Sequence, residues 1–227
     1  MNDYELALRD FLTPMVNENR HRLLDKIFEQ RTRYITVGLE DIYQPHNASA
    51  VLRTCDCFGI QDVHIIENRN RITLNPEVEL GAAQWLTLHR YNKRKNNTGE
   101  AIGKLKENGY RIVAATPHVD DNGVRDFDLS AGKTAILLGT EMQGLSDEAI
   151  KMADEFVKIP MMGFTESFNI SVSAAIILYE LNTRLRNSGI PWKIDASEKE
   201  RIILQWLRNS VNNIGWIEQG FKNRYMP

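Results

Sequence analysis

A strand, a loop and a long helix are predicted in succession in the stretch 156-FVKIPMMGFTESFNISVSAAIILYELNTRLRNSG-189. Its first residues, 156–159, form an apolar run that predicts a buried strand, which Pro160 ends. A polar loop at 161–169 follows, and apolar residues then recur at helical spacing from Ile170 onward. Unpaired N–H groups point outward where a loop enters a helix N-terminus. We therefore expect a ligand site at this junction.

The segments before this stretch alternate between strand-like and helix-like patterns. Apolar, β-rich runs predict strands at 34–42, 62–66, 85–91, 111–115 and 134–138. Helical spacing with flanking caps and glycines predicts helices at 48–58, 101–108 and 146–153. Such alternation is typical of an α/β domain with a mostly parallel sheet.

Both ends of the chain depart from this alternation. Residues 3–33 predict two amphipathic helices, and 193–227 returns to a helical pattern. We therefore expect an N-terminal helical extension at 1–33, an α/β domain at 34–189 and a C-terminal helical extension at 190–227.

The composition is ordinary for a soluble globular protein, since 42% of the 227 residues are hydrophobic and 26% are charged. No apolar run approaches the length of a membrane span, and the charged N-terminus lacks a secretory apolar core. We therefore expect a cytoplasmic protein. The two cysteines, Cys55 and Cys57, have no His/Cys cluster beside them, so we expect reduced thiols and no metal site.

The formal net charge of −2 argues against a generic nucleic-acid binder, but the basic residues are clustered. Taken singly, each cluster is typical of a solvated surface. Together, with aromatic neighbours in the terminal helices, they predict a discontinuous basic surface. The clusters are Arg20, Arg22, Lys26, Arg31 and Arg33; Arg90, Lys93, Arg94 and Lys95; and Arg201, Arg208, Lys222 and Arg224.

The usual phosphate-binding and hydrolase motifs are missing from the sequence. No G-x-G-x-x-G follows the first predicted strand, and no serine nucleophile elbow occurs. The segment 139–144 has the glycine spacing of a P-loop, but Leu145 stands where the lysine should be, and Glu141 would repel phosphate. These absences weigh against a triphosphatase, a Rossmann dehydrogenase and a serine hydrolase.

Three predicted strand-to-helix junctions carry unusual polar residues instead. The first runs from Asn47 to Arg53, the second from Gly139 to Ser146, and the third from Ile159 to Asn169. A glycine directly after an apolar strand, as at Gly139, lets a ligand approach the backbone closely. The junctions therefore supply oriented hydrogen-bond donors and acceptors.

Each of these polar residues also has a purely structural interpretation. Asn47 and Asn169 are good helix N-caps, and Ser167 is an alternative cap. Arg53 can pair with Asp56 on the same helix, and Glu141 can begin a surface turn. What argues for a functional site is their occurrence together.

The three blocks, in this order and spacing, resemble the SpoU-TrmH family of RNA ribose 2′-O-methyltransferases. The family's first block has an Asn, a small-residue run and an Arg, matched by Asn47 and Arg53. The second has Gly-x-Glu and then Gly-Leu-Ser, matched at 139–146. The third has Ile-Pro-Met and then Ser-Leu-Asn-Val-Ser, matched at 159–171 except that Phe168 replaces Leu.

The resemblance implies a fold and a cofactor. The fold would be an α/β-knot with a C-terminal deep trefoil knot, in which the last strand, loop and helix thread through an earlier loop. The cofactor would be S-adenosylmethionine, held without a metal by Thr116, Gly139, Ile159, Met161 and Phe168. The family's members are homodimers whose active site is completed across the interface, to which the apolar face of 170–185 would contribute.

The resemblance also assigns catalytic residues. Arg53 would be central, assisted by Asn47, Glu141, Ser167 and Asn169. The reaction would be attack of a ribose 2′-OH on the sulfonium methyl group, so the enzyme mainly has to position the reactants and remove a weakly acidic proton. An arginine is a poor base, so we expect Arg53 to bind the adjacent phosphate and orient the hydroxyl.

The short helical extensions resemble the branch of the family that methylates the guanosine at position 18 in the D-loop of tRNA. In that case the basic clusters would contact tRNA phosphates with salt-sensitive affinity. Two alternatives are the same reaction on ribosomal RNA and a non-catalytic RNA-binding module.

Overall fold

The computed structural model describes residues 1–117 and 123–225. Strands and helices alternate through its central part, and helices occupy both ends. The strands are β1 Ile35–Glu40, β2 Asp62–Ile66, β3 Thr87–Tyr91, β4 Arg111–Ala115, β5 Thr134–Leu138 and β6 Glu155–Val157. The helices are α1 Asp3–Leu12, α2 Glu18–Phe28, α3 Pro45–Cys57, α4 Pro76–Glu79, α5 Thr98–Glu107, α6 Asp147–Met152, α7 Ile170–Arg186, α8 Ala196–Ser210 and α9 Ile214–Tyr225, with 3-10 turns at Thr13–Met15 and Ala82–Trp85.

The described strands form one sheet in the order β3-β2-β1-β5-β4-β6, and every pairing is parallel. In the centre of the sheet, Val37 of β1 lies opposite Val63 of β2 and Ile136 of β5. This confirms the predicted α/β class with a mostly parallel sheet. Because the strands run the same way, the loops that follow their carboxyl ends meet at one edge of the sheet.

Helices cover both faces of the sheet, as parallel strands require. Along β5, Ile136 and Leu138 join the larger apolar core formed with α3 and α7, whereas Ala135 and Leu137 join a smaller one formed with α5 and α6. Successive side chains of a strand point to opposite faces, so a continuous apolar run is buried on both sides. Gly38 of β1 leaves room for the Leu137 side chain, because an added Cβ at this position would lie 2.4 Å from it.

Several predicted boundaries differ from the structure, and two of the differences are informative. The helix expected at 48–58 begins at Pro45, because proline at the first helical position has the required φ and loses no hydrogen bond. Asn47 therefore lies within the first turn and is not the cap, and the cap residue Gln44 makes no side-chain capping bond. The strand expected at 156–159 spans Glu155–Val157 instead.

The compact units are Thr32–Trp192 and a second unit formed by Met1–Arg31 with the chain from Lys193 onward. The two terminal segments thus belong to the same unit. Within it, Leu8, Leu12 and Trp206 are buried. No helix in the described residues is both long enough and apolar enough to cross a membrane.

The structure changes the composition of the predicted basic surface. Arg31 is buried beneath the Trp206 ring, at 5.3 Å from its centroid, and Arg33 pairs with Asp62 at 2.5 Å. Arg90 and Arg208 are each paired with a glutamate. These four arginines have structural partners, so they are not part of a freely available cationic surface. Exposed basic residues of the clusters include Lys26, Lys93, Arg94, Lys95, Arg201, Lys222 and Arg224.

A buried polar cluster joins β2 to β3. Asp62 accepts a hydrogen bond from His89 at 2.8 Å, and the His64 ring stacks on His89 with a centroid separation of 4.6 Å. Burial lowers the pKa of His64 to about 4, with the nearby His89 charge acting in the same direction. Tyr91 lies 2.9 Å from His64 Nδ1, and burial raises the pKa of Tyr91 to about 12. His64 is therefore neutral in the folded protein near pH 7.

Candidate active site

A cavity of about 240 Å³ lies at the carboxyl edge of the sheet, between the segments that follow β4, β5 and β6. The five residues expected around the cofactor all line this cavity, together with two of the expected catalytic residues. They are Thr116, Gly139, Ile159, Met161 and Phe168, and then Glu141 and Ser167. The first turns of α7 close the cavity with Ile170, Ser173 and Ile177. Residues far apart in sequence thus form one site.

One wall of the cavity is a tight hairpin at 139–144. The backbones of Thr140 and Gly144 exchange two hydrogen bonds of 3.0 Å, and Gly144 has a positive φ of 68°. A Cβ on Gly139 would lie 2.2 Å from the Gly144 carbonyl atoms and 2.3 Å from Leu145 N. A side chain cannot fit at Gly139 while the hairpin keeps this shape.

Glu40, at the carboxyl end of β1, anchors the residue that follows this hairpin. Its buried carboxylate accepts hydrogen bonds from Ser146 N at 2.8 Å, from Ser146 Oγ at 2.7 Å and from Thr98 Oγ1. Ser146 also caps α6, as the sequence predicts. The sequence analysis does not single out Glu40. A signal for it in the sequence is the position of a carboxylate at the end of a mostly apolar run that predicts a strand.

A polar cluster joins Asn47, Glu141 and Asn169, one residue from each sequence block. Glu141 Oε1 accepts hydrogen bonds from Asn47 Nδ2 at 2.9 Å and from Asn169 Nδ2. Asn169 Nδ2 also donates to Asn47 Oδ1 at 3.1 Å. The other carboxylate oxygen of Glu141 has no donor among the described residues. The cluster therefore fixes the Glu141 carboxylate through one oxygen and leaves its other oxygen as an acceptor on an exposed residue.

The N-terminus of α7 confirms one of the two expected caps. Asn169 is the N-cap, and its Oδ1 accepts from Ser171 N at 2.9 Å and from Ser171 Oγ at 2.6 Å. One amide side chain therefore ends the loop, starts the helix and binds Glu141. Ser167 is exposed, lines the cavity and does not cap the helix.

Arg53 lies apart from this polar cluster. It is exposed on α3, and within the described parts of the chain it makes no hydrogen bond or ion pair, so the alternative interpretation of a pairing with Asp56 does not hold. Arg53 follows Asn47 by six residues, which corresponds to roughly 9 Å along the helix and 120° around it. Its guanidinium is available to a partner from outside this chain.

The lining of the cavity combines apolar surface with charged groups of both signs, since Lys158 lines it as well as Glu141 and Glu166. Ile159, Phe168 and Ile170 provide apolar surface, and Glu141 provides a carboxylate. At Gly139 itself the backbone is exposed to the cavity without a side chain, because an added Cβ would clash with Gly144 and Leu145. Among the described residues, no group of three or more His, Cys, Asp or Glu side chains is arranged to hold a metal ion. The chemistry available here is binding and orientation by backbone, amide and carboxylate groups.

The profile of the SpoU rRNA Methylase family matches residues 34–179. A tRNA (guanosine(18)-2′-O)-methyltransferase of Borreliella burgdorferi is 41% identical over 96% of this chain and 98% of the relative. A relative of the same name in Thermus thermophilus is 34% identical over 84% of this chain and 97% of its own length.

Solved structures agree with the sequence comparison. The A. aeolicus TrmH/SpoU tRNA modifying enzyme superposes with a TM-score of 0.76 at 27% identity, covering 86% of this chain and 98% of that one. The SpoU methyltransferase AviRb of Streptomyces viridochromogenes, solved in complex with AdoMet, has a TM-score of 0.60 at 25% identity, covering 73% of this chain and 62% of that one. The fold, the three sequence blocks and the similarity to these relatives together show that the chain belongs to the SpoU methylase family.

Proposed function

We propose that this protein transfers a methyl group from S-adenosylmethionine to the ribose 2′-OH of guanosine 18 in the D-loop of tRNA. The observation that carries the proposal is the joining of three distant sequence blocks at one cavity, with Asn47, Glu141 and Asn169 hydrogen-bonded at its edge. The choice of tRNA and of guanosine 18 is supported by the names of relatives that match this chain over most of its length.

The cofactor would occupy the cavity between the loops that follow β4, β5 and β6. Apolar side chains such as Ile159 and Phe168 would flank its adenine ring, and the backbone at Gly139 would approach it without a side chain between them. When bound, S-adenosylmethionine supplies a methyl group activated by a sulfonium. The residues of this chain contribute the pocket, the orientation and the handling of the hydroxyl proton.

Glu141 would orient the incoming ribose. Its Oε1 is held by Asn47 and Asn169, which fixes the carboxylate plane. Its second oxygen would accept a hydrogen bond from a ribose hydroxyl. Holding a reacting hydroxyl in one direction converts binding energy into rate because less orientational freedom has to be lost at the transition state. Ser167, at the edge of the cavity, would contact the substrate or the cofactor.

Arg53 would act on the phosphate next to the target ribose. Its exposed guanidinium has no partner in the described residues of its own protomer and would bind a phosphate in a bidentate manner. The 2′-OH proton would pass to solvent or to a phosphate oxygen, since an arginine remains protonated near pH 7.

The active form would be a homodimer. Phe164, Phe168, Val172 and Tyr179 are exposed, and the last two lie on α7. A second copy covering this surface would bury apolar area and would bring a second Arg53 close to the site. Exposed apolar groups of this kind mark interaction surfaces.

The loop from β6 to α7 would form the trefoil knot of the fold. Similarity to solved members of the family supports this topology. The exposed basic residues of the terminal unit, including Lys222 and Arg224, would bind tRNA phosphates, and the protein would act in the cytoplasm on this substrate.

A methylation assay on unmodified tRNA transcripts tests the proposal. Transcripts with guanosine 18 should accept about one methyl group each from labelled S-adenosylmethionine, and matched transcripts with adenosine 18 should accept little. An rRNA transcript provides the comparison with the ribosomal alternative. Equal methylation of both tRNAs, or methylation of rRNA alone, would contradict the proposed substrate.

A further inference from the structure

A second cavity, of about 260 Å³, lies on the other side of the 139–144 hairpin from the cofactor cavity. The two cavities share Thr140, Gln143 and Gly144 as lining residues. The remaining residues of the second cavity are mostly polar. They are Glu40, Asp41, Arg69, Asn70, Leu145, Ser146 and Asp147. A polar cavity separated by one hairpin from the proposed methyl donor is well placed to hold another part of the substrate.

Asp41 is held rigidly in this cavity. Its Oδ1 accepts three consecutive backbone N–H groups, from Asn68 at 2.6 Å, Arg69 at 2.9 Å and Asn70 at 3.3 Å. Its backbone has a φ of 53°, a left-handed conformation that costs free energy for a residue with a side chain. Its Oδ2 has no donor in the described residues, so the cavity contains a fixed carboxylate oxygen that is open to a ligand.

Arg69 places a cation next to this carboxylate. Its Nη1 donates to Gln143 Oε1 at 3.0 Å, which ties the side chain to the shared hairpin. Its other guanidinium N–H groups have no acceptor among the described residues. The cavity therefore presents a hydrogen-bond acceptor, Asp41 Oδ2, beside a hydrogen-bond donor, the Arg69 guanidinium. The two residues are also joined directly, because the backbone N–H of Arg69 donates to Asp41 Oδ1.

We propose that this second cavity binds the base of the target nucleotide and selects guanine, with Asp41 Oδ2 accepting from N1–H and Arg69 donating to O6. This inference rests on the proposed function and extends it from the ribose to the base. Guanine presents an acceptor directly beside an N–H donor on its Watson–Crick edge, whereas adenine presents a donor beside an acceptor. A carboxylate and a guanidinium therefore fit guanine and mismatch adenine.

The first test uses the wild-type protein and changes only the RNA. Single-turnover kcat/KM is measured on tRNA transcripts with guanosine or 2-aminopurine at position 18, because 2-aminopurine lacks both O6 and N1–H. A correct pair of hydrogen bonds to a base edge discriminates by roughly 5–150-fold, so we expect a preference for guanosine of at least about fivefold. Equal turnover of the two transcripts overturns the inference and leaves the methyltransferase assignment in place, whereas failure to methylate guanosine 18 overturns the assignment itself.

The second test changes the protein. Asp41→Asn keeps an oxygen for the three backbone N–H groups and replaces the open acceptor with an N–H donor, which suits adenine N1. The ratio of kcat/KM for guanosine 18 over adenosine 18 should fall at least tenfold, while the S-adenosylmethionine Kd from calorimetry stays unchanged. Glu107→Gln, which removes a charge from an exposed residue at the end of α5, is the matched control and should leave the ratio unchanged.

The ratio separates recognition from a structural role. An Asp41→Asn protein that loses activity on both transcripts equally would show that Asp41 only supports the loop, and that result overturns the assignment. Arg69→Met is measured in parallel and is expected to lower the same ratio through the loss of the O6 contact. An unchanged ratio in this variant overturns the part assigned to Arg69.

Discussion

Gly139→Ala is the substitution most directly dictated by the structure. A Cβ at this position would lie 2.2 Å from the carbon and oxygen of the Gly144 carbonyl and 2.3 Å from Leu145 N. These are backbone atoms, so no side-chain rotation relieves the clash. The hairpin has to open, and opening breaks the two hydrogen bonds between Thr140 and Gly144. The variant protein is therefore expected to fold with an altered wall in the cofactor cavity.

The expected loss of affinity follows from those hydrogen bonds. Each contributes about 0.5–1.5 kcal/mol net, so a hairpin that loses both is roughly 1–3 kcal/mol less stable, and we expect cofactor binding to weaken by that amount. That free energy corresponds to roughly 5–150-fold weaker binding of S-adenosylmethionine. Calorimetric titration of the purified variant with S-adenosylmethionine measures the change directly, and thermal unfolding in the same buffer shows whether the fold is retained.

Gly103→Ala is the matched control for this experiment. Gly103 lies inside α5, and a Cβ there meets nothing within 4 Å. Alanine in a helix interior is favoured over glycine by about 1 kcal/mol, so this variant should be slightly more stable and should bind S-adenosylmethionine normally. If Gly139→Ala binds as tightly as the wild type, the steric argument for the hairpin is refuted.

Four further predictions concern catalysis, acid stability and RNA binding. Arg53→Ala should abolish methyl transfer while S-adenosylmethionine still binds by calorimetry, and near-normal turnover would remove Arg53 from the mechanism. Glu141→Gln should lower kcat at least about tenfold, since charge-assisted hydrogen bonds contribute about 1.5–3 kcal/mol, and an unchanged kcat would show that the carboxylate does not orient the ribose. Because the pKa of His64 is lowered to about 4, the unfolded chain binds a proton before the folded one, so stability should fall as pH drops from about 6.5 to about 4. His64→Gln should flatten that dependence in urea unfolding, and a slope equal to that of the wild type would count against the assignment. Replacing Lys222 and Arg224 together with alanine should weaken tRNA binding and reduce its salt dependence by up to about two phosphate contacts, whereas an unaltered salt slope in filter binding would place the contacts elsewhere.

The strands are the part of the fold that local sequence encodes best. Arg111–Ala115 and Thr134–Leu138 have the predicted limits because each is a short apolar run bounded by polar or glycine-containing segments. The start of α3 is less well encoded. Asn47 is a favourable N-cap residue, and Pro45 is a favourable residue for the first position of a helix. In the structure α3 begins at Pro45.

The basic residues illustrate what a charge pattern leaves open. Arg31 and Arg33 stand in the same sequence cluster as Arg22 and Lys26, yet one packs on Trp206 and the other pairs with Asp62. Partners of this kind come from distant parts of the chain. A sequence alone does not reveal them.

The α/β class and the three polar blocks can be read from the sequence, and the resemblance of these blocks to a known family supplies the candidate site residues. Which of these residues lie in contact is visible only in the folded protein. The parallel sheet brings Asn47, Glu141 and Asn169 within hydrogen-bond distance, whereas Arg53 stays apart. The structure also gave Glu40 and Asp41 their partners. The physical reason is that the hydrophobic periodicity of a segment reflects only which of its own residues are buried. Contacts between loops depend instead on the order of the strands in the sheet and on packing between distant segments.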